Sequence, residues 1–566
     1  MSPRHALQGP LRELAGWALA CALSIVVAAH ALEAQHDLLL TDPDSLVTVL
    51  QARSILAGLP QDWALSPVLF VPEAALYGVL HAVCGLFAVS PAETVRWALS
   101  LNAIANLLAL YGAVRIVAGR RGATRSPVLA ALLAFGAFCA LALLENDPLP
   151  ANVLAALTTT TTYYSATVVA SVALVGVLAR ALGAPKHPIV LAVAAGFLGL
   201  VSMLSNPLFA AWAMLPLLVV AAAIALTRRG LPPVAAWASI GALIAGSALG
   251  YLARITVFAG VIVADDDKYA RPELWLSSLQ RYLGFVERMG SSAAGIAWLV
   301  IVAGLTLAAL AAAVFCWLRV AGAQDTGTEE ASTDQRGTGE AVSQDAVSSG
   351  TQARSAALIT TYAALAPLVV AGGMIALGTQ SERYLQPWAF APVLVLALMP
   401  VFARRAVESR HAPSDAPKPP RLSTAARPVA ATLAAVAILT AGAIALPRVI
   451  ETASAPDGDL ACVDAWAAAH PERTGGGQFA TIRAPKAYAS DPSWLVQVDE
   501  WLRPYLWLVD RGDYTHAPGV TYLVIDERTT PYDLPSGAAP IAQIACGRFT
   551  ILDFGETVLP FGEPHS

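Results

Sequence analysis

Long apolar runs set the pattern of this chain. They fall near residues 12–33, 95–118, 126–144, 163–183, 188–205, 207–227, 231–253, 293–320, 356–378, 385–403 and 425–447. A helix needs roughly 20 such residues to cross the hydrocarbon core of a bilayer. Inside lipid only helices and closed barrels satisfy the backbone, and runs of this length mean helices. The pattern predicts an all-α polytopic membrane protein of about eleven transmembrane helices over residues 1–448. The first run follows Arg4 and Arg12 and ends near Ala31-Leu32-Glu33-Ala34, which looks like a signal-peptidase site. Its length is that of a span, so it is read as an uncleaved first helix.

Polar segments punctuate the runs. Residues 34–94 form a predicted outer loop with juxtamembrane helices. Within it, residues 67–90 are apolar but interrupted by Pro67, Pro72, Glu73 and His81. Counting them as a span would put Arg120 and Arg121 outside, so they are placed as a helix on the outer surface. Residues 321–355, rich in Gly, Ser, Thr, Gln and acids, read as a disordered cytoplasmic linker. Residues 406–424, rich in Pro, Arg and Lys, form a second cytoplasmic loop. From 449 to 566 the composition changes. Strand-like runs at 520–525 and 548–554, with Trp466, Trp494, Trp501 and Trp507, predict a small extracytoplasmic α/β domain.

Charge then fixes orientation. Arg115, Arg120, Arg121 and Arg125, then Lys186, Arg228, Arg229, Arg319, Arg404 and Arg405 all fall on one side if the N-terminus is cytoplasmic. The C-terminal domain is then outside. The chain of 566 residues is only 13% charged, against about 25% for soluble proteins. No dense Lys/Arg cluster with interleaved aromatics points to nucleic acid. Cys21, Cys84, Cys139 and Cys316 sit in apolar segments. Cys462 and Cys546 alone fall in the tail, which suggests one disulfide there.

The candidate chemistry lies at the outer helix ends. Asp42 and Asp44 follow the first span, Glu145 and Asp147 the third, Asp265, Asp266 and Asp267 the seventh, and Glu382, Arg383 and Tyr384 the ninth. His36 and His81 are isolated, and Thr158–Thr162 with Tyr163 and Tyr164 reads as an interfacial anchor. Transporters usually hold ionisable groups near the bilayer midplane, and few occur there. An enzyme acting on a lipid-linked substrate would place them at the interface. A lipid-linked sugar flippase and a non-enzymatic scaffold for envelope assembly are the alternatives.

The order of these motifs resembles the GT-C class of integral-membrane glycosyltransferases, which includes protein O-mannosyltransferases and lipid A aminoarabinose transferases. The likeness begins at Asp44, followed by a short amphipathic stretch from Ser45 to Gly58. It continues through Pro72-Glu73-Ala74-Ala75-Leu76-Tyr77-Gly78-Val79-Leu80, similar to a proline-led juxtamembrane helix, and through Val89-Ser90-Pro91 into a long helix ending at Arg120-Arg121-Gly122. Asn146-Asp147-Pro148-Leu149 resembles the second acidic site of the family, and Glu382-Arg383-Tyr384-Leu385-Gln386-Pro387 its Arg-Tyr-Leu-x-Pro element. The likeness covers roughly residues 12–400. The Lys-Pro-Pro of some members is absent near Pro72.

The resemblance implies transfer of a sugar, with inversion, from a polyprenyl-phosphate carrier to an envelope glycan, lipid or protein acceptor. Asp44 would be the base, with Asp42 second to it. Arg383, with Tyr384, would hold the donor phosphate. Asp147 and Glu145 would orient the acceptor or bind a metal. A divalent metal is the only cofactor this reading admits, with Asp265–Asp267 as weaker candidates for it.

Overall fold

The computed structural model describes residues 3–119, 127–183, 185, 187–226, 234–263, 270–322, 339–399 and 426–566. All eleven apolar segments carry helix. They are α1 (Pro3–Ala34), α5 (Pro91–Ala118), α6 (Pro127–Leu144), α7 (Ser165–Ala181), α8 (Pro188–Ser205), α9 (Leu215–Leu226), α10 (Val234–Thr256), α12 (Ala293–Gly322), α13 (Gly339–Leu377), α14 (Pro387–Phe390) and α15 (Ala426–Ser454). Eight of the described helices are long and apolar enough to cross a membrane. The chain is a multi-pass membrane protein. Proline opens α5, α6 and α8, where the missing N–H costs nothing and φ is already helical. Ser90 caps α5 by accepting from Glu93 N, and the Glu93 carboxylate accepts from Val89 N in return.

Three segments depart from simple spans. Among its described residues, the 385–403 run holds α14 and a 3-10 stretch, Pro392–Leu398. Pro387 and Pro392 each remove an N–H and break the helix. Val393 and Leu394 are buried within the bundle, where non-helical backbone at membrane depth is tolerated. A π-helical turn, Ala210–Met214, precedes α9. In the third, α7 starts late, because Tyr163 and Tyr164 hold φ of 25° and 69°.

Of the segment read as a disordered linker, 339–355 is helical and forms the first turns of α13; the remainder up to 338 lies largely outside the described residues. That stretch contains no proline, so the helix of the following span propagates back into it. The 406–424 loop also lies outside the described residues.

Between α1 and α5 lie α2 (His36–Leu40), α3 (Val47–Leu56), β1 (Trp63–Ala64) and α4 (Val71–Cys84). With 14 residues, α4 is only about 21 Å long, too short for a core of about 30 Å. It is a short helix between α1 and α5. A further helix, α11 (Trp275–Gly290), precedes α12.

Helices α8 and α10 meet through small residues. A Cβ at Gly246 would lie 2.0 Å from Gly196 O, and one at Gly250 2.2 Å from Leu200 O. This is backbone approach of the kind that packs helices in lipid, where burial of apolar surface supplies no drive.

The tail is mixed α/β. Helices α16 (Gly458–Ala468) and α17 (Phe479–Tyr488) pack on a five-stranded sheet of order β3-β2-β5-β7-β6, formed by Leu495–Gln497, Gly475–Gly477, Tyr522–Ile525, Phe549–Asp553 and Ala542–Cys546. Strand β2 runs parallel to both neighbours and the other pairs are antiparallel. Cys462 and Cys546 form the disulfide that their isolation in the tail suggests. It closes a separation of 84 residues, so Cys546→Ser should cost the tail about 4 kcal/mol by chain entropy. The expected readout is faster proteolysis of the tail, with the membrane part intact. Unchanged proteolysis would show that the bond contributes little.

The tail docks on the segment between α1 and α5. Strand β1 pairs antiparallel with β4 (Val509–Asp510). Tyr488 Oη donates to Leu40 O at 2.9 Å, and Arg53 Nη1 donates to Ala487 O and Ala489 O, each at 2.8 Å. The segment between α1 and α3, which carries Asp42 and Asp44, is therefore held between the tail and the helix ends.

Candidate active site

The turn Thr41–Leu46 is fixed on every side. Ser45 N donates to Asp42 Oδ2 at 2.9 Å, and Tyr163 Oη donates to Asp42 Oδ1 at 3.1 Å. Thr161 Oγ1 donates to Ser45 O at 2.6 Å, and Ser45 Oγ lies 3.3 Å from Thr162 Oγ1. From the tail, Arg483 Nε donates to Pro43 O at 3.4 Å. Both Asp42 oxygens are thus occupied by protein donors. Burial, and then the negative charge of Asp44, push the Asp42 pKa up to about 7.

Asp44 differs. Its Oδ2 pairs with Arg383 Nη1 at 3.3 Å, between residues 339 apart in sequence. Their side chains are 31% and 32% exposed, so the pair is reachable from outside the fold. Among the described residues no other donor reaches the Asp44 carboxylate. The Arg383 guanidinium sits over the rings of Tyr163, Tyr164 and Tyr384, at 5.4, 5.8 and 6.0 Å from their centroids. Its buried Nε has no hydrogen-bond partner. Tyr384 stacks on Tyr164 at 6.0 Å. It forms a wall of this aromatic cage.

The tyrosines are placed by the segment before α7. Thr158 to Thr162 are buried within the protein. Asn102 and Asn106 on α5 donate to Thr160 O, and Gln386 donates to Tyr163 O at 2.8 Å. These bonds hold Tyr163 and Tyr164 at positive φ, where a residue with a Cβ is strained. Such strain concentrates at functional sites.

The second acidic motif divides in two. Glu145 is buried, and its carboxylate accepts from Leu154 N, Ala155 N and Ala156 N at 2.8–3.0 Å. It anchors the loop ahead of the threonine run, and its oxygens are already used, which argues against the acceptor or metal role expected for it. Asp147 accepts from Leu149 N and from Asn152 Nδ2, both at 2.9 Å. Asn152 Oδ1 accepts from Arg288 Nε at 2.6 Å, and Arg288 Nη2 reaches Glu382 Oε1 at 2.8 Å. Asp147 therefore connects through Asn152 and Arg288 to Glu382, the residue before Arg383, and does not touch Asp44.

Asp265, Asp266 and Asp267 lie outside the described residues. Among the described residues no group of three or more His, Cys, Asp or Glu side chains is arranged to hold a metal. Asp42 and Asp44, one hydrogen-bonded to Tyr163 and the other paired with Arg383, fall short of the oxygen set a divalent cation takes.

Sequence reasoning missed Arg281, Arg288 and Arg483. The first two stand on α11, whose alternation of apolar and polar residues at helical spacing was the available signal. Arg483 is fully buried, bound to the carbonyls of Pro43 and Leu508, and burial draws its pKa down to about 10. Nothing in the sequence marked it.

Glu73 and Glu145 also have pKa values raised by burial, each to about 7. With Asp42, these groups keep a proton in the fold that the unfolded chain releases near pH 4. Their contribution is complete below about pH 4 and is lost as pH rises through about 7. The thermal unfolding midpoint should therefore fall between about pH 4 and 7, and Asp42→Asn should flatten part of that fall. A midpoint that rises across this window would contradict the assignment.

No protein-family model matches the chain, and no curated protein matches it. Two solved structures are similar to it. One is the archaeal oligosaccharyltransferase AglB from Archaeoglobus fulgidus in complex with an inhibitory peptide and a dolichol-phosphate, at TM-score 0.33 and 13% identity, covering 90% of this chain and 69% of that one. The other is an Archaeoglobus fulgidus oligosaccharyltransferase in the apo form, at TM-score 0.34 and 12% identity with the same coverage. At these values no residue role follows from the likeness.

Proposed function

We propose that the chain is a membrane glycosyltransferase of the GT-C kind. It moves a sugar, with inversion, from a polyprenyl-phosphate carrier to the hydroxyl of an envelope glycan, lipid or protein on the outer face. The observation that carries this reading is the Asp44–Arg383 pair, an accessible carboxylate and guanidinium brought together from the first and ninth apolar segments.

The pair suits the chemistry. The acceptor oxygen attacks the anomeric carbon while the bond to the phosphate oxygen breaks. Asp44 takes the hydroxyl proton as the attack proceeds. The bonding electrons leave with the phosphate, which passes from diester to monoester and gains negative charge. Arg383 offsets that charge through donors aimed at the phosphate oxygens. In the resting site Arg383 holds Asp44. A bound donor phosphate would draw the guanidinium to itself and free the carboxylate for the acceptor. Asp42, whose oxygens are both occupied, shapes the turn. No metal is used in this scheme.

The test is to supply labelled polyprenyl-phosphate sugars to native membranes containing the protein. Label should move from the carrier to an acceptor. Label that crosses to the other leaflet still on its carrier, with none on an acceptor, would make the protein a flippase instead.

A further inference from the structure

Three helices long and apolar enough to cross a membrane end around one cavity of about 430 Å³. Leu40 and Thr41 follow α1, Arg96 stands in the second turn of α5, and Glu451 lies in the last turn of α15. Asp457 and Tyr488 of the tail close it. Asp44, Arg383 and Tyr384 are not among its lining residues.

Arg96 is only 7% exposed, and its one hydrogen bond runs from Nε to Ala453 O at 3.3 Å. Among the described residues no acidic side chain pairs with it, and Nη1 and Nη2 have no partner. Burying a charge is costly unless a counter-charge meets it. Asp457 does not serve, because its oxygens take Asp459 N, Leu460 N and Arg548 Nη2. Glu451 is exposed at the rim, and its carboxylate likewise has no partner among the described residues. The cavity thus holds a cation within and an anion at its mouth that do not pair with each other. The ends of spanning helices lie at the level of lipid headgroups. Deeper in α15, Leu446 and Ile450 expose apolar side chains at helical spacing.

We propose that this cavity binds the headgroup of a zwitterionic membrane phospholipid, with the phosphate on Arg96 and a primary ammonium at Glu451. A guanidinium fork matches phosphate oxygens, and a short ethyl link carries the ammonium outward to the rim. A soluble anion would meet Arg96 but gain nothing from Glu451 or from the membrane. The bound lipid braces Leu40 and Thr41, which lead into the turn carrying Asp42 and Asp44.

The experiment titrates the full, delipidated chain in detergent micelles with phosphatidylethanolamine and, in parallel, phosphatidylglycerol, and counts bound lipid by native mass spectrometry. Wild type should prefer phosphatidylethanolamine. Arg96→Gln should weaken its binding about tenfold, the worth of one charge-assisted hydrogen bond. Glu451→Gln should weaken it about threefold, as loss of an exposed ion pair does, while phosphatidylglycerol binds no worse. Glu451→Lys should reverse the order of the two lipids, whereas a merely solvated Glu451 would leave that order unchanged. Glu451 is exposed, so its variants decide the matter even if Arg96→Gln fails to fold. Unchanged affinity in a folded Arg96→Gln, or an unchanged lipid order in both Glu451 variants, overturns the site. Displacement of the lipid by inorganic phosphate or free phosphoethanolamine at the same concentration overturns its assignment to the membrane. The readout is binding alone, so it stands or falls apart from sugar transfer.

Discussion

Asp44→Asn should lower sugar transfer by about a thousandfold, the middle of the range for a positioned general base. The change is nearly isosteric. The Asn carbonyl can still accept from Arg383 Nη1, which now reaches Asp44 Oδ2, so the turn and the tyrosine cage should stay in place. What is lost is the capacity to take a proton. Donor binding and expression should therefore match wild type while the rate collapses. Asp44→Glu moves the carboxylate outward by one methylene and should recover only part of the rate, since positioning within a fraction of an ångström matters to such steps. Initial rates with a labelled donor check this. Wild-type rates in Asp44→Asn would remove Asp44 from the chemistry.

Arg383→Ala should act on both binding and rate. The guanidinium is the positive group paired to Asp44 and the centre of the Tyr163, Tyr164 and Tyr384 cage. Its removal takes away a charge-assisted contact to the phosphate worth about 2–3 kcal/mol, which is a loss of roughly thirtyfold to hundredfold in apparent donor affinity. The same group stabilises the leaving phosphate as charge grows, so the rate at saturating donor should fall as well. Arg383→Lys supplies a point charge without the planar fork and should recover little of either. An Arg383→Ala protein with unchanged donor affinity and unchanged rate would contradict the role.

The membrane part was legible because lipid imposes a simple rule. Each long apolar run became helix, and α4 stayed short where its prolines and the arginines after α5 require it. The tail disulfide was legible by elimination among six cysteines. Irregular backbone was not. The apolar character of 385–403 outweighed Pro387 and Pro392 in the sequence reading, and the folded chain answers to the prolines. The burial of the threonine run was not legible either, because the partners that satisfy it, Asn102 and Asn106 at Thr160 O and Ser45 O at Thr161 Oγ1, come from distant segments. At the site, Asp44 and Arg383 could each be singled out by type and position, while their meeting depends on packing between distant helix ends. Glu145 and Asp147 look alike in sequence, and only their partners show that one anchors the loop before the threonine run while the other binds Leu149 N and Asn152.

The most direct measurement compares two neighbouring carboxylates. Purified Asp42→Asn and Asp44→Asn proteins, reconstituted with a labelled polyprenyl-phosphate sugar and native membrane acceptors, should differ sharply. Asp42→Asn keeps one oxygen acceptor for either Ser45 N or Tyr163 Oη and loses the other bond, and should retain transfer within about tenfold of wild type, the effect of a lost charge-assisted hydrogen bond. Asp44→Asn should show none above background. Equal losses in both, or transfer retained by Asp44→Asn and lost by Asp42→Asn, would contradict Asp44 as the base.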